Sequence, residues 1–564
     1  MYFGYNDQFQ QKNQILVMLS IMIFTFYSQT PIKLKAVYED VQLRWFFDFV
    51  GSASDATPEL IDINNDSYMD VLLLDDQGIL YAVDGRTGLA IWELNFGIID
   101  THVKQRLSDL DSDGLCELVI TYANGSVFIV NPYNVTVIAK INLFTGYSPF
   151  SMPCISDVDN DSLKEIFLAA KNGFGYLLKF NATEELPLSL IWKLDLDLNP
   201  KIYPVMIDTN NDSFEDIIVG SFDGYIYSIS SIDKKILFRY YLNLTDYSQF
   251  SVLDIDNDGV LEIITTRGNE LIIFSSDTGN LEDVEEIYDE ADQIVLQNVF
   301  DIDYDSKYEF IMQYYYLFTK KSIDYITVGE IIVDDDFDLK KHTEETDTYN
   351  NVKQKNLPLW SYVADLNGDF WLDFAFTSFA GVTIYSSGAN KFIFTLDGSN
   401  LAPIPPYLYD FDKDGVLELL LIEDFGRVNL YDFNNINYGN AVIPFRISEN
   451  NNAADQIQDY DNDGLSNLLE MILGTNALNN DSDNDSLNDY YEVKKKYNPL
   501  SIDTDGDGLN DPDELKMGLS PRKRDSDGDG WIDASDPIPT INNYFVIGGV
   551  VAIIVIIALV IYLR

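Results

Sequence analysis

The sequence predicts an all-β protein: an eight-bladed β-propeller, then a region of short acidic repeats, then one membrane-crossing helix. Three observations carry this. A nine-residue pattern, D-x-[DN]-x-D-x-x-x-[DE], recurs eight times between Asp62 and Glu418, each copy flanked by short apolar, strand-like runs. A twelve-residue version recurs four times between Asp459 and Asp536. An uninterrupted apolar run closes the sequence.

Composition bounds the reading. The 564 residues are 46% hydrophobic and 13% aromatic, enough for several domains and a large core. The formal net charge of -56 argues against a nucleic-acid partner, since phosphate backbones are bound through Lys and Arg. The acids are interleaved with apolar runs, unlike the acid block of a solvated tail.

Taken in order, residues 1–30 contain "ILVMLSIMIFTFY" after Lys12, the pattern of a secretory signal peptide, with an uncleaved anchor as the alternative. The first acidic loop then offers Asp62, Asn64, Asp66 and Asp70. The second offers Asp109, Asp111, Asp113 and Glu117, and the third Asp157, Asp159, Asp161 and Glu165. Asp208, Asn210, Asp212 and Asp216 form the fourth, and Asp254, Asp256, Asp258 and Glu262 the fifth. Asp301, Asp303, Asp305 and Glu309 make the sixth, Asp365, Asn367, Asp369 and Asp373 the seventh, and Asp410, Asp412, Asp414 and Glu418 the eighth. Successive starts are 47, 48, 51, 46, 47, 64 and 45 residues apart, the mark of a repeat architecture.

The spacing points to Ca²⁺. This hard cation takes six to eight oxygens at ~2.3–2.6 Å, and acids at positions 1, 3 and 5 of a tight loop turn their oxygens inward. A carbonyl near position 7 and the acid at position 9 complete the shell. Without a cation, carboxylates this close repel one another. Asp, Asn and Gly also favour ordinary turns, but not eight times in register. Around each loop the sequence offers one strand before and about three after, such as "VLLLDD", "ILYAVDGRTG" and "LAIWELNF". Four short strands per ~50 residues is a propeller blade over 42–447.

The loops and their flanks resemble the FG-GAP/VCBS repeats of integrin α-subunit propellers. "LYAVDGRTGLAIWELNF" (80–96) is also similar to the outer strands of quinoprotein-type propeller repeats. Ser67, Ser162, Ser213 and Ser306 replace the loop glycine of FG-GAP, and Phe370 does so in the seventh loop, so weaker binding is expected there. Trp92 lies 17 residues before Asp109 and Trp45 lies 17 before Asp62. The segment 43–49 is therefore expected to complete the eighth blade, with "VIPFRI" (442–447) as the alternative.

Beyond the propeller come twelve-residue loops whose starts are 22 apart, with oxygens at positions 1, 3, 5, 9 and 12. Their residues are Asp459, Asp461, Asp463, Asn467 and Glu470; Asp481, Asp483, Asp485, Asp489 and Glu492; Asp503, Asp505, Asp507, Asp511 and Glu514; and Asp525, Asp527, Asp529, Asp533 and Asp536. The linkers are too short for EF-hand pairs. The stretch 455–540 resembles thrombospondin type 3 repeats, which implies a calcium-dependent stalk with little apolar core. "YFVIGGVVAIIVIIALVIYL" (544–563) has 20 residues, which at ~1.5 Å each span one bilayer core. Arg564 behind it favours a cytoplasmic end.

Chemistry beyond metal binding has little support. The two histidines, His102 and His342, sit in no ligand pattern. No G-x-S-x-G, H-E-x-x-H or P-loop occurs, and the adjacent cysteine pair of quinoproteins is missing. Two cysteines, Cys116 and Cys154, exclude a disulfide framework; they either bridge neighbouring repeats or are separate thiols. The expected protein is a membrane-anchored, calcium-binding cell-surface protein, not an enzyme, whose propeller serves adhesion or binds an extracellular protein or glycan. A polysaccharide-active enzyme on a calcium propeller and a surface-layer component are the alternatives. The interval between the sixth and seventh loops places an insertion near 334–356, the best candidate for a contact surface.

Overall fold

The computed structural model describes residues 41–433 and 461–540, apart from 53–56, 185, 199–203, 211, 222–223, 243–249, 256–259, 288–292, 301–308, 321–322, 334–338, 349–359, 365–372, 379–380, 387–390, 398–406, 413–417, 424–425, 462, 466–469, 471–472, 474 and 477–478. The expected signal segment 1–30, the alternative closing strand 442–447 and the apolar run 544–563 lie outside the described residues. Among these, no helix is long and apolar enough to cross a membrane.

Eight four-stranded antiparallel sheets follow one another along the chain. Seven are simple meanders, at 59–95, 104–142, 154–198, 205–241, 251–286, 293–348 and 360–397. The eighth joins 407–433 to the first strand, Val41–Asp48. In the first blade the strands are Glu59–Ile61, Asp70–Leu74, Ile79–Val83 and Ala90–Asn95. The second and third are buried almost throughout, whereas the fourth alternates toward solvent. Middle strands that read as unbroken apolar runs are what a sheet covered on both faces requires.

That covering comes from the neighbouring blades. Leu72 and Leu80 of the first blade pack with Leu118, Ile120 and Phe128 of the second. Phe167 and Trp192 of the third pack with Ile217 and Tyr227 of the fourth. Similar apolar layers join the second to the third, the fourth to the fifth and the fifth to the sixth. Trp45, Phe411 and Leu420 of the eighth blade pack with Val71 and Tyr81 of the first, which closes the circle. The chain is a β-propeller.

Closure uses the segment expected from the tryptophan spacing. Val41–Asp48 pairs antiparallel with Arg427–Phe433, from Val41 opposite Phe433 to Asp48 opposite Arg427. Trp45 Nε1 donates to Gly85 O of the first blade at 2.8 Å, and Tyr407 Oη donates to Pro58 O. A Cβ on Gly88 would lie 2.7 Å from the Trp45 ring, so the turn at 85–88 admits the indole only because glycine stands there. Trp192 repeats the contact three blades further round, donating to Ser231 O at 3.0 Å.

The sixth blade corrects one expectation. The described part of the extra length near 334–356 lies within the sheet. Residues Leu339–Thr348 are the outer strand of that blade, paired with Ile323–Val333. The three outer strands run to 12, 11 and 10 residues, so the long interval is taken up by longer strands. Only 334–338 and 349–356 of the expected surface remain, outside the described residues.

Trp45→Ala removes both the closing hydrogen bond and the apolar wedge. A buried tryptophan truncation costs about 3–5 kcal/mol. Hydrogen exchange is expected to speed up first in 41–48 and 427–433, leaving the blades opposite protected. Uniform acceleration around the ring would show that Trp45 is not the latch.

Candidate metal centres

In every blade the acidic loop joins the first strand to the second, and its ninth residue opens the second strand. Asp70, Glu117, Glu165, Asp216, Glu262, Glu309, Asp373 and Glu418 all hold that place. The six whose side chains are described are almost fully buried. Each accepts a hydrogen bond from the backbone N–H of loop position 2, for example Leu110 N to Glu117 Oε2 at 3.1 Å and Ile255 N to Glu262 Oε2 at 2.8 Å. That bond fixes one oxygen and leaves the other turned toward the loop.

The first residue orders the turn. Asp109 Oδ1 accepts from Asp113 N at 3.2 Å and Oδ2 from Gly114 N at 3.0 Å. Asp62, Asp157 and Asp208 repeat the pair with Asp66 and Ser67, Asp161 and Ser162, and Asp212 and Ser213. The sixth position is left-handed: φ is 87° at Gly114 and 72°, 71° and 72° at Ser67, Ser162 and Ser213. The serines thus take the glycine conformation at a steric cost of ~1–2 kcal/mol. They build the same loop, so the departure from glycine strains the turn without changing its shape. Successive loops also touch. Ser112 Oγ donates to Ser162 O at 2.7 Å, and Asn160 Nδ2 to Ser213 O at 2.8 Å.

These constraints bring the acids together. One carboxylate oxygen from each of Asp109, Asp111 and Glu117 lies within 4.8 Å of the other two, and the same holds for Asp157, Asp159 and Glu165, and for Asp410, Asp412 and Glu418. Asp111 Oδ1 is buried with no hydrogen-bond partner. Burial, then the neighbouring carboxylates, push Glu117 up to about 7. Asp70 and Asp216 rise to about 6, chiefly through burial. Of the expected ligands, Asp256, Asp258, Asp301, Asp303, Asp305, Asp365, Asn367, Asp369, Asp414, Asp459 and Asn467 lie outside the described residues, and for Glu309 and Asp373 only the backbone is placed.

Two cations that the loop pattern does not reveal sit in these clusters. Lys179 Nζ lies 3.2 Å from Asp159 Oδ2, 2.8 Å from Asp161 Oδ2 and 2.6 Å from Glu165 Oε1. Arg44, on the closing strand, pairs with Asp412 and lies 3.4 Å from Glu418 Oε1. Arg86 merely approaches Asp66, at 3.9 Å.

The twelve-residue loops share the first half of this geometry and differ in the second. Position 9 opens a helix: α1 is Asp489–Lys495 and α2 is Asp511–Met517. In the fourth loop it opens a 3-10 turn, Asp533–Ser535. Position 12 therefore falls on the first helical turn and faces back over the loop. Linker, loop and helix are strung together by one recurring chain of bonds. Asn498 N donates to Thr504 Oγ1 at 2.8 Å, and Thr504 Oγ1 donates to Asp511 Oδ2 at 2.6 Å. Asn476, Ser482 and Asp489 repeat it at 2.8 and 2.7 Å.

Here the unsatisfied acceptors are most numerous. Glu492 and Glu514 are fully buried, and neither oxygen of either has a hydrogen-bond partner. Asp483 Oδ2, Asp485 Oδ2 and Asp505 Oδ2 are buried in the same condition. Oxygens of Asp481, Asp483 and Asp485 converge within 4.8 Å. Burial first, then adjacent acids, push Glu492 up to about 9 and Glu470 and Glu514 to about 8. Buried acceptors with no donor in reach are what a bound cation would satisfy, so the residues fit the group. An all-oxygen donor set suits Ca²⁺ over softer metals.

Cys116 and Cys154 are both free thiols, which decides the open question of a bridge. His102 meets Tyr147 Oη at 2.7 Å on the surface, and His342 lies on the outer strand of the sixth blade, far along the chain from it. His102 joins no acidic loop among the described residues.

No family model matches the chain, and no curated protein does. Solved structures resemble it weakly. The V. cholerae biofilm matrix protein Bap1 is 13% identical, with a TM-score of 0.45, covering 72% of this chain and 93% of that one. Saccharomyces cerevisiae Sqt1 is 12% identical, with a TM-score of 0.47, over 68% and 97%. BBS1N, solved in complex with ARL6DN, is 11% identical, with a TM-score of 0.41, over 71% and 99%. The propeller assignment rests on strand order and blade packing.

Two outcomes follow from the carboxylate geometry. Asp111→Asn keeps the side-chain shape and removes one charge. It is expected to bind one calcium ion fewer and, in chelator, to be more stable than the parent. Equal stoichiometry would remove the second loop as a metal centre. The second outcome concerns pH. In chelator, Glu492, Glu514 and Glu470 hold protons in the folded chain that the unfolded chain releases near the ordinary carboxylate value. Their contribution to stability is complete below about pH 4.5 and is lost as pH rises toward about 9. The chelated protein should thus melt at falling temperature across that window, and saturating calcium should abolish the fall. A chelated melting point that rises across the window would contradict the placement of these acids.

Proposed function

We propose that this protein is a membrane-anchored, calcium-binding cell-surface protein whose propeller mediates adhesion or recognises an extracellular protein or glycan. The observation that carries the calcium reading is the burial of Glu492 and Glu514 with all four carboxylate oxygens unpartnered. Supporting it, the same acid opens the second strand in eight successive blades. In this reading the propeller loops are of the FG-GAP/VCBS kind and 455–540 is a stalk of thrombospondin type 3 kind. Each ion would neutralise carboxylates that otherwise repel, and bind through the residues of its own loop. Residues 1–30 would direct secretion and 544–563 would anchor the chain, leaving the bulk outside the cell.

Extracellular modules bind Ca²⁺ at roughly 10⁻⁴–10⁻³ M. At ten times the dissociation constant, each filled site adds about 1.4 kcal/mol. Among its described residues the stalk buries few apolar side chains, chiefly Leu465, Leu473, Val493 and Leu519, so this contribution dominates there. The propeller has apolar layers between its described neighbouring blades and depends on calcium less.

Chelator is therefore expected to expose 461–540 to limited proteolysis while the blades resist; equal resistance with and without chelator would overturn the stalk reading. Protease added to intact cells is expected to remove 42–540, and full protection would refute the topology. An ectodomain array of glycans and matrix proteins then tests recognition, with calcium-dependent capture of a defined ligand as the expected result.

A further inference from the structure

Eight loops of one pattern invite the assumption of eight equivalent ions. Among the described loops, the third and eighth are built differently, because each already holds a side-chain cation. Lys179 lies on the third strand of its blade, directly opposite Glu165. Its ammonium contacts three of that loop's four acids, at 3.2, 2.8 and 2.6 Å. It stays largely covered, with 19% of its side chain exposed, against a fully buried Glu165.

The comparison with sister blades is internal to the chain. Opposite the ninth acid stand Ser230, Ser275 and Ser386 in the fourth, fifth and seventh blades. One register step beyond Val71–Val83, Leu118–Val130 and Leu419–Tyr431 stand Asp84, Asn131 and Asp432. All six carry side-chain oxygen, compatible with a cation beside the ninth acid. Lysine alone carries positive charge and fills the space itself. In the eighth blade the opposite residue is Asp432, and the positive charge arrives from the neighbouring strand, as Arg44 beside Asp412, Glu418 and Asp432.

We propose that Lys179 is the resident cation of the third loop, and Arg44 that of the eighth, so that these two loops stay closed without metal while the others take Ca²⁺. An ammonium on three carboxylates supplies charge but no vacancy, and a metal ion could enter only by displacing it. The consequence for Arg44 is mechanical. It sits on the closing strand, so the bond that shuts the ring does not depend on calcium. Withdrawing calcium then loosens individual blades and leaves the circle intact.

This inference rests on the calcium reading of the remaining loops, and the test separates the two. Calcium bound per full-length chain is counted by equilibrium dialysis for the parent, Lys179→Ser and Lys179→Arg. Lys179→Ser should bind one ion more than the parent, and Lys179→Arg the same number as the parent. Equal, non-zero counts for parent and Lys179→Ser would overturn the proposal and spare the calcium reading. If neither chain binds calcium, that reading fails, and thermal melting in chelator decides the role of Lys179. Lys179→Ser melting below Lys179→Arg then supports a resident cation; coincident melting overturns it.

Discussion

Repulsion among carboxylates held a few ångströms apart is the constraint on which the rest of this structure depends. Oxygens of three acids converge within 4.8 Å in loop after loop. At that distance two unit charges repel by about 1 kcal/mol in water and several-fold more near a protein surface. The chain meets the cost in two steps. Backbone N–H groups first take up part of the charge: positions 5 and 6 donate to the first acid, and position 2 donates to the ninth. This leaves the outer oxygens uncompensated and aimed at a common point. A cation would finish the neutralisation, whether a free ion or, as proposed for two blades, a side chain.

The two loop families differ in what surrounds that point. In the propeller the ninth acid begins a strand that is apolar on both faces, so the loop hangs from a sheet already fixed by its neighbours. In the second and third twelve-residue repeats the ninth acid begins a seven-residue helix, too short to be stable alone. The side chain of Asn488 caps the first of these helices, and Ser482, Thr504 and Ser526 at loop position 2 tie their units locally. The fifth acid links neighbouring loops, the first to the second and the third to the fourth. Asp463 Oδ2 accepts from Tyr490 N at 3.0 Å, and Asp507 Oδ2 from Ala534 N at 3.1 Å, both 27 residues on. The corresponding residue for Asp485 is Pro512, which has no N–H to give. Asp485 Oδ2 is accordingly buried without a hydrogen-bond partner.

Much of this was legible in the sequence because the period is strong. Eight loops at near-constant spacing imply eight blades, and equal distances from Trp45 and Trp92 to the next loop imply that the first strand completes the last sheet. The side-chain cations were harder to see. Lys179 follows Glu165 by 14 residues, the interval that separates Asp70 from Asp84 and Asp216 from Ser230, so its departure is visible once strand register is known. Register here follows from the strand and turn lengths after the loop, which the loop motif does not encode. Arg44 was beyond reach for another reason: it meets Asp412 and Glu418 across 368 and 374 residues. The sixth blade misled because length between motifs does not say whether added residues extend strands or leave the sheet. There the alternation that would have marked a strand is weak, since "LKKHTEETDT" is polar on both faces.

Position six shows how a local rule and a global one were reconciled. Ser67, Ser162 and Ser213 adopt a left-handed backbone that glycine takes at no steric cost, so local preference opposes the loop at these places. The turn forms nonetheless because several independent constraints define it. The first acid binds two N–H groups, the ninth binds a third, and the flanking strands are clamped by the adjacent blades. A loop with no sheet behind it has fewer such constraints, and the twelve-residue repeats mostly use glycine at the same position, at Gly464, Gly508 and Gly530, with Ser486 as the exception. Where tertiary packing enforces the turn, serine is tolerated repeatedly; where the loop must largely hold itself together, glycine prevails. The distribution of one residue type thus follows from which parts of the chain have an apolar core to lean on.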